Sequence, residues 1–476
     1  MGKLMAGKSA ATILVLFSFI VMPIPLSEAA PAAAAQADEG RAAALRAYLD
    51  AADTQWRFQG AVIAARNGRA VVERGIGLAD LRTDAANTPA TRFMIGSVTK
   101  TITAAAVLQL EEAGRLRLSD PIVKHLPDYP AASGSRITIQ ELLSHTAGVP
   151  EPAMDPRRTG EMSRPVGPAE LLALFKDRPL DFEPGAKYRY SNSGYVILGM
   201  IIEKLSGMSY YDYVADRIFR PLGMKASGYR EKGADPPEFA RGLSEAPDGG
   251  LLPAPIIHPS WGYAAGALHS TVGDMLAWDR GLSAGKVLSP GSLEKMFRPV
   301  MGGYGTGWLI AETFGRKDQF HGGGVPGFSA WIERWPDDGA FVAVLGNVGS
   351  APTGEIGRSL AAILFGERYE MPVARKAVKA GPKILDEYVG TFRIDGQTSR
   401  TVVREGNALY VARNGGRRVP ILPFGKDGFF FPNDKGASLR FTRDKAGRVD
   451  GQVFHQLGVD ERAVRIRGHE TLEETR

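Results

Sequence analysis

The chain has 476 residues, of which 44% are hydrophobic and 23% charged, and its formal net charge is +6. This composition is typical of a folded globular protein, and the length predicts two domains. Because the sequence contains no cysteine, disulfides and thiolate metal sites are excluded. The positive excess is small and no nucleic-acid-binding motif accompanies it, so we expect no nucleic-acid partner.

Residues 1–29 are typical of a signal peptide. Two lysines precede an apolar run from Ala11 to Met22, and Ala29 offers a small residue for cleavage. The run is shorter than the roughly 20 residues that span a bilayer. We therefore expect a cleaved signal, no stable membrane span and a periplasmic or secreted protein. Residues 30–37 are rich in alanine and are predicted to be a disordered leader.

Residues 38–366 are predicted to form the larger domain, with strands at both ends and helices between them. A first helix is expected from about Asp38 to Ala52, and Asn67-Gly68 between two apolar runs predicts a type I′ hairpin. A buried helix is expected from Ser97 to Gly114, and a second hairpin at 336–339. This order predicts an α/β (α+β) fold whose antiparallel sheet is closed by both ends of the domain and flanked by helices.

A smaller domain is predicted for residues 384–467, after a polar linker at 367–383. Short alternating segments such as Ala408 to Val411 are bounded by Gly, Asn or Asp. Regularly spaced short strands of this kind predict a small all-β barrel.

Ser97 and Lys100 stand one turn apart at the start of the buried helix. Positions i and i+3 share a helix face, and the positive end of the helix dipole favours a developing negative charge. This arrangement can activate a serine without histidine. An ordinary N-cap serine followed by a solvated lysine has the same pattern, which arises by chance about once or twice in a chain of this length.

Two later segments supply partners for this pair. Tyr190 and Asn192 lie in a polar loop that enters an apolar helix, and His321 precedes three glycines at a predicted strand. Taken separately, Tyr190 fits a core aromatic residue, Asn192 a helix cap and His321 a buried strand histidine. Their occurrence together with Ser97-x-x-Lys100 favours a catalytic set.

The three motifs, in this order, resemble the signatures of serine β-lactamases, penicillin-binding DD-peptidases and related esterases, especially the class C-like branch. Leu142 to Gly148 and His269 to Met275 are similar to further phrases of that branch. The resemblance covers about Ala61 to Leu364 and implies a β-lactamase/transpeptidase-like fold without a cofactor. His321 stands where penicillin-recognising members often carry Lys, which favours an esterase or peptidase.

The resemblance implies roles for the residues that handle protons. Ser97 is the nucleophile, Lys100 is the base, and Tyr190 carries a proton to the leaving group. Tyr190 can do so in its ionised form only if nearby cations lower its pKa from about 10. Lys100 and His321 are expected to be those cations.

The resemblance also implies the groups that hold the substrate. Asn192 would orient Lys100 or the substrate amide, and His321 would face the substrate. Gly323 and Gly324 let the backbone approach closely, so the N–H groups of Ser97 and Gly324 are expected to form the oxyanion hole.

Other motifs are interpreted as structural. Gly281 to Gly285 matches G-x-S-x-G around Ser283, but a helix that is expected to end near Arg280, rather than a strand, precedes it. Gly322 to Gly327 matches a dinucleotide fingerprint but contains a proline and has no helix after it. His145 is expected to hold a loop through hydrogen bonds, and no metal-ligand spacing is found among the remaining histidines.

Leu385 to Phe392 resembles the opening of the lipocalin-like barrel that follows some serine peptidases and β-lactamase homologues. The resemblance implies that this domain shapes the entrance of the active site or mediates oligomerisation.

The sequence thus predicts an exported serine hydrolase that forms an acyl-enzyme on Ser97. It would cleave an ester or amide in a small molecule or peptide, with D-amino-acid peptides and β-lactams as candidates. The alternatives are a penicillin-binding or scaffold module with little turnover and an esterase that uses Ser283.

Overall fold

The computed structural model describes residues 29–151, 160–229, 238–246 and 249–466, with side chains from residue 39 onward. Residues 1–28, nearly all of the predicted signal peptide, lie outside the described residues. The chain divides into two compact units, Met1–Gly40 and Arg41–Arg476, and the second contains the sheet, the candidate site and the barrel. No helix in the described ranges is long and apolar enough to cross a membrane.

The α-helices of the described residues are short apart from five that exceed ten residues. They are α1 (Ala29–Trp56), α2 (Thr99–Glu112), α3 (Ala131–Gly134), α4 (Ile139–Leu143), α5 (Pro168–Ala173), α6 (Asn192–Ser206), α7 (Tyr210–Val214), α8 (Arg220–Leu222), α9 (Tyr263–Gly266), α10 (Val272–Ser283), α11 (Pro290–Phe297), α12 (Thr353–Phe365) and α13 (Pro382–Asp386).

The β-strands fall into a large sheet, a barrel and three small sheets. They are β1 (Gly60–Arg66), β2 (Arg69–Ile76), β3 (Leu78–Asp80), β4 (Ala85–Ala86), β5 (Phe93–Met94), β6 (Gly228–Tyr229), β7 (Leu243–Glu245), β8 (Leu251–Pro253), β9 (Leu268–Ser270), β10 (Leu309–Thr313), β11 (Arg316–Val325), β12 (Phe328–Trp335), β13 (Ala340–Gly346), β14 (Gly390–Arg393), β15 (Ser399–Glu405), β16 (Ala408–Arg413), β17 (Val419–Gly425), β18 (Gly428–Phe431), β19 (Asp434–Arg443), β20 (Val449–Gln456) and β21 (Val459–Arg465).

The large sheet has six antiparallel strands in the order β10-β11-β12-β13-β1-β2. Strand β1, at the start of the domain, pairs with β13, at its end, and Gly60 lies opposite Gly346. This confirms that both ends of the domain close the sheet. Asn67 and Gly68 have φ of 49° and 68°, as the predicted type I′ turn requires.

Both faces of this sheet are buried, which explains the nearly continuous apolar run of β1. Ala61 and Ile63 belong to a core that contains α2 and α6, whereas Val62 and Ala64 belong to a second core that contains α1 and α12. Side chains alternate between the faces of a strand, so each face contributes to a different core.

Helix α2 lies in the first core. Every residue from Thr99 to Leu108 is buried, and a 3₁₀ turn at Gly96–Val98 precedes the helix. The chain leaves the helix through Gly114, which has φ of 67°. The predicted buried helix is confirmed, and its N-terminal end is fixed beside the large sheet.

Two helix boundaries differ from the prediction. Helix α1 begins at Ala29 rather than near Asp38, so it includes the segment 30–37 that was predicted to be a disordered leader. Alanine has the highest helix propensity, and a proline at position 31 is tolerated in the first turn. Helix α10 continues to Ser283 instead of ending near Arg280.

The C-terminal strands β14 to β21 form a closed barrel in which the first strand pairs with the last. The barrel has its own apolar core, formed by residues such as Phe392, Leu409 and Phe441. This confirms the predicted all-β barrel and agrees with a lipocalin-like domain. A stretch without helix or strand at 367–381 connects it to α12.

Candidate active site

Ser97 lies in the 3₁₀ turn that precedes α2, and Lys100 lies in the first turn of α2. The Lys100 Nζ is 3.1 Å from the Ser97 Oγ, so the two groups share a helix face as predicted. Lys100 is completely buried, with 0% of its surface exposed. A buried amine beside a serine hydroxyl can accept its proton because burial disfavours the charged ammonium and favours the neutral amine.

Three oxygens surround the Lys100 amine. Besides the Ser97 Oγ, the Asn192 Oδ1 lies 2.6 Å and the Ala265 carbonyl oxygen 2.8 Å from Nζ. Burial lowers the pKa of Lys100 to about 7, although the nearby carboxylate of Glu151 opposes this change. Amide and carbonyl oxygens can only accept hydrogen bonds, so a neutral amine donates its two hydrogens to Asn192 and Ala265. Its lone pair then points to the Ser97 hydroxyl.

Glu151 orients Asn192 at the start of α6. Its carboxylate accepts hydrogen bonds from the Ser193 N–H at 2.9 Å and the Ser191 hydroxyl at 3.1 Å, and it lies 3.4 Å from the Asn192 Nδ2. The amide nitrogen of Asn192 therefore faces Glu151 and its oxygen faces Lys100. Glu151 was missed by the sequence analysis because no local motif distinguishes it.

Tyr190 is brought to the same centre. The Lys100 Nζ lies 4.8 Å from the centroid of its ring, and its hydroxyl is hydrogen-bonded to Ser97. The expected lowering of its pKa is wrong, because burial raises the pKa of Tyr190 above its ordinary value and the bond to Ser97 opposes this only in part. Tyr190 is therefore a neutral phenol at physiological pH.

His145 packs against Tyr190, with ring centroids 4.2 Å apart. Its Nδ1 accepts a hydrogen bond from the Ser191 N–H at 3.1 Å, which agrees with the expected loop-holding role. It also contacts the ring of Tyr304 at a centroid distance of 4.6 Å. His145 thus supports the phenol of Tyr190 as well as the loop, a role that sequence spacing did not reveal.

His321 lies on β11 and is buried. Its Nδ1 is 2.6 Å from the Gly322 carbonyl oxygen, and its Nε2 is 2.9 Å from the Tyr304 hydroxyl. Burial lowers the pKa of His321 to about 3, with a further contribution from Lys100. The ring is therefore neutral, with the proton on Nδ1 and Nε2 accepting from Tyr304. His321 is not the cation that the sequence analysis expected beside Tyr190.

Two glycines allow β11 to approach the 3₁₀ turn that carries Ser97. A Cβ on Gly323 would lie 2.0 Å from the Ile95 carbonyl oxygen, and a Cβ on Gly96 would lie 2.6 Å from the Gly324 backbone nitrogen. Around Gly324, by contrast, no described atom lies within 4 Å of the Cβ position. The backbone of Gly323 and Gly324 thus lies next to Ser97, where an oxyanion hole is expected.

The rejected motifs are structural. Ser283 ends α10 and its Oγ accepts a hydrogen bond from the Arg334 Nη2 at 2.6 Å, and no strand leads into it. Gly322 and Gly324 lie in β11, which leads through a turn into β12 rather than into a helix. Among the described residues, no cluster of three or more His, Asp or Glu side chains could hold a metal ion.

Comparison with known proteins agrees with this geometry. The family model described as "Beta-lactamase" matches residues 43–364. Penicillin-binding protein 4* of Bacillus subtilis (strain 168) is 27% identical over 448 residues, which cover 89% of this chain and 98% of that protein.

Two solved structures share the fold. The octameric penicillin-binding protein homologue from Pyrococcus abyssi has a TM-score of 0.65 and 27% identity, covering 87% of this chain and 96% of its own. The D-stereospecific amidohydrolase from Streptomyces sp. has a TM-score of 0.55 and 30% identity, covering 64% and 94%. The chain therefore belongs to the beta-lactamase family of serine hydrolases, which includes penicillin-binding proteins and D-amino acid amidases.

Proposed function

We propose that this protein is a serine hydrolase that cleaves an amide or ester through an acyl-enzyme on Ser97. The observation that carries the proposal is the position of the Lys100 amine, which lies 3.1 Å from the Ser97 Oγ while two acceptor oxygens hold its hydrogens. A pKa of about 7 leaves a substantial fraction of this amine neutral at physiological pH.

In the first step the Ser97 Oγ bonds to the substrate carbonyl carbon and its proton passes to the Lys100 Nζ. The carbonyl oxygen becomes negative and accepts hydrogen bonds from the Ser97 and Gly324 N–H groups. The bond to the leaving group then breaks. Tyr190 gives its hydroxyl proton to the leaving atom, and the Lys100 ammonium returns to Tyr190 the proton that it took from Ser97. Water later releases the acyl group by the reverse proton movements.

The neutral state of His321 bears on the substrate. Members that recognise penicillin often carry Lys at this position, whereas here a buried, uncharged imidazole faces Tyr304. A neutral ring offers no ion pair to a substrate carboxylate. We therefore favour amides and esters without a carboxylate at that point, including D-aminoacyl amides such as the Streptomyces relative's description suggests, over β-lactams.

Substitution of the nucleophile tests the proposal. Wild-type protein and Ser97→Ala would be incubated with a fluorophosphonate probe, a fluorescent penicillin, a p-nitrophenyl ester and a D-alanyl anilide, with adducts followed by intact mass. We expect an adduct and turnover in the wild type and neither in Ser97→Ala. Ser283→Ala is the matched control and should behave as the wild type.

The other outcomes separate the rival functions. Activity that survives in Ser97→Ala and is lost in Ser283→Ala would assign the reaction to the esterase alternative. A stable Ser97 adduct without product release would indicate a penicillin-binding module with little turnover, in line with the names of the relatives.

Export and assembly belong to the same proposal. We propose cleavage after Ala29 and a periplasmic or secreted location, to be measured by cell fractionation and N-terminal mass spectrometry.

One relative is octameric, and we propose that the barrel mediates assembly here. Light scattering of the full chain and of a chain that ends before residue 384 would measure the difference in oligomeric state.

A further inference from the structure

An apolar pocket of about 320 Å³ opens beside the candidate active site. Its lining includes Met94, Gly266 and Val325, which are close in sequence to residues of the candidate site. Gly266 follows the residue whose carbonyl oxygen accepts from Lys100, and Val325 follows the expected oxyanion residue Gly324. Its volume is in the range of small-molecule sites in proteins. The pocket therefore adjoins the place where a substrate carbonyl would lie.

Most of its lining is carbon. Phe328, Trp261 and Ile257 form part of the wall, and Ile256 is 79% exposed. A single exposed aliphatic side chain is common on protein surfaces. Ile256, however, lies on the wall of an apolar pocket beside the candidate active site, and this position suits a surface that a bound ligand covers.

The outer wall is held in place before any ligand binds. This wall, residues 253–259, contains three prolines, each with a restricted backbone. The Ala254 N–H donates to the Gly242 carbonyl at 2.9 Å, and the His258 N–H donates to the Met162 carbonyl at 2.7 Å. A pre-ordered wall binds with a smaller loss of conformational entropy.

The charged groups of the lining are already paired with one another. Asp80 lies 2.7 Å from the Arg82 guanidinium and 3.6 Å from that of Arg241. The two arginines share one carboxylate, so these three groups keep one net positive charge, and the carbon surface forms most of what a ligand would meet.

The position of the pocket distinguishes the two halves of a substrate. Its described lining includes none of Tyr190, Asn192 and Glu151, so it lies apart from the groups that handle the proton of the leaving atom. In the proposed reaction the leaving group faces Tyr190, which leaves the side of the pocket for the acyl group.

We infer that this pocket binds the acyl side of the substrate and selects a large apolar acyl group, aromatic or branched aliphatic, with Ile256 and Phe328 as specificity-determining residues. The inference rests on the proposed function. It adds a substrate class, since the acyl-enzyme chemistry alone sets no requirement on the size of the acyl group.

A series of p-nitrophenyl esters tests the preference, because the leaving group stays constant while the acyl group changes. We expect kcat/KM to rise about tenfold or more from the acetyl to the hexanoyl and phenylacetyl esters. A flat series would overturn the inference. So would a preference for the succinyl over the butyryl ester, which would assign the pocket to anions held by the arginines.

A pair of surface variants locates the preference in the pocket. Ile256→Asp places a carboxylate on the wall, and Leu252→Asp places one outside the lining at a residue that is 56% exposed. Both positions are exposed, so neither variant should disturb the core. We expect the ratio of hexanoyl to acetyl kcat/KM to fall about fivefold or more in Ile256→Asp and to stay unchanged in Leu252→Asp.

Equal ratios in the two variants would overturn the assignment to this pocket. Labelling of Ser97 by the fluorophosphonate distinguishes this failure from failure of the proposed function. A labelled, active protein without acyl preference rejects only the pocket, whereas a protein without label or turnover rejects the acyl-enzyme itself.

Discussion

At the scale of single residues, the proposed proton chemistry depends on the charge state of one buried amine. Lys100 needs burial to become neutral, and it needs fixed acceptors so that its lone pair faces Ser97. Asn192 and Ala265 provide the acceptors, while Glu151 moves the pKa of Lys100 in the opposite direction to burial. The pKa near neutrality is the balance of these two influences.

Removal of the Glu151 charge should change the pH profile in a defined direction. The carboxylate raises the pKa of Lys100, so Glu151→Gln should lower it and move the acid limb of kcat/KM to lower pH. We expect a shift of about 0.5–1 unit from one nearby, partly solvated charge. The measurement is ester hydrolysis between pH 5 and 9, with the exposed Glu312→Gln as control. An acid limb that stays in place would contradict this electrostatic role.

Contacts among the candidate-site residues could be predicted where those residues belong to local patterns. Ser97 and Lys100 are three positions apart on one helix, so their contact follows from helical periodicity. Glu151 lies in a loop and Ala265 in α9, both distant in sequence from Lys100, and only the tertiary fold brings them to it. The charge states of Tyr190 and His321 were predicted wrongly for a related reason, because burial dominates both and cannot be measured from motif spacing.

At the scale of elements, the site depends on how closely β11 approaches the turn before α2. Gly323 lies so near to the Ile95 carbonyl that any side chain would collide with backbone. Its neighbour Gly322 faces the other side of the sheet, where a Cβ would make an ordinary contact of 3.4 Å with the Trp331 ring. A side chain is therefore excluded at position 323 but can be accommodated at position 322.

This difference predicts different outcomes for two matched substitutions. Gly323→Ala should force β11 away from the turn, displace the expected oxyanion donor and lower kcat/KM about 100-fold or more, with a lower thermal midpoint. Gly322→Ala should stay within about threefold of the wild type. The comparison requires kcat/KM and thermal unfolding for both variants. Equal losses would show that the close approach does not control the reaction.

Elements bounded by recognisable turn residues could be predicted from the sequence, whereas helix ends that lack such residues could not. The hairpin at Asn67-Gly68 and the closed sheet follow from turn residues and alternating apolar runs. The start of α1 was placed too late because low-complexity alanine also has high helix propensity. The end of α10 was misplaced by one turn at Gly281, a residue that weakens a helix without ending it.

At the scale of the whole molecule, the barrel is attached to the larger domain by side chains whose pairing no sequence pattern predicts. The Lys435 Nζ donates to the Trp56 carbonyl at 2.9 Å and lies 3.2 Å from the Glu245 carboxylate. Leu457, at the turn between β20 and β21, packs against the core that contains α12. The existence of the barrel was predictable from its strands, but its docking depends on such isolated contacts.

His455 links this docking to pH. Its Nε2 lies 3.6 Å from the Glu355 carboxylate on α12, and its Nδ1 lies 2.8 Å from Asp460 on β21. The interaction with Glu355 and that with Asp460 raise the pKa of His455 to about 9, although burial opposes them. The ordinary pKa of an unfolded histidine is about 6.5. The protonated ring therefore stabilises the folded chain fully below about pH 6.5, and this contribution is lost as the pH rises through about 9.

The substitution His455→Gln should remove this dependence. We expect its thermal midpoint to lie below that of the wild type at pH 6.5 and to approach it at pH 9.5, because the wild-type ring is then mostly neutral in the folded state and neutral in the unfolded state. Lys426→Gln is the control, because it removes a positive charge from an exposed turn of the barrel. The change in its thermal midpoint between pH 6.5 and pH 9.5 should equal that of the wild type. If the midpoints of wild type and His455→Gln stay equally far apart at both pH values, the ring acts through packing rather than through its charge, and the ion pair with Glu355 does not hold the barrel on the hydrolase domain.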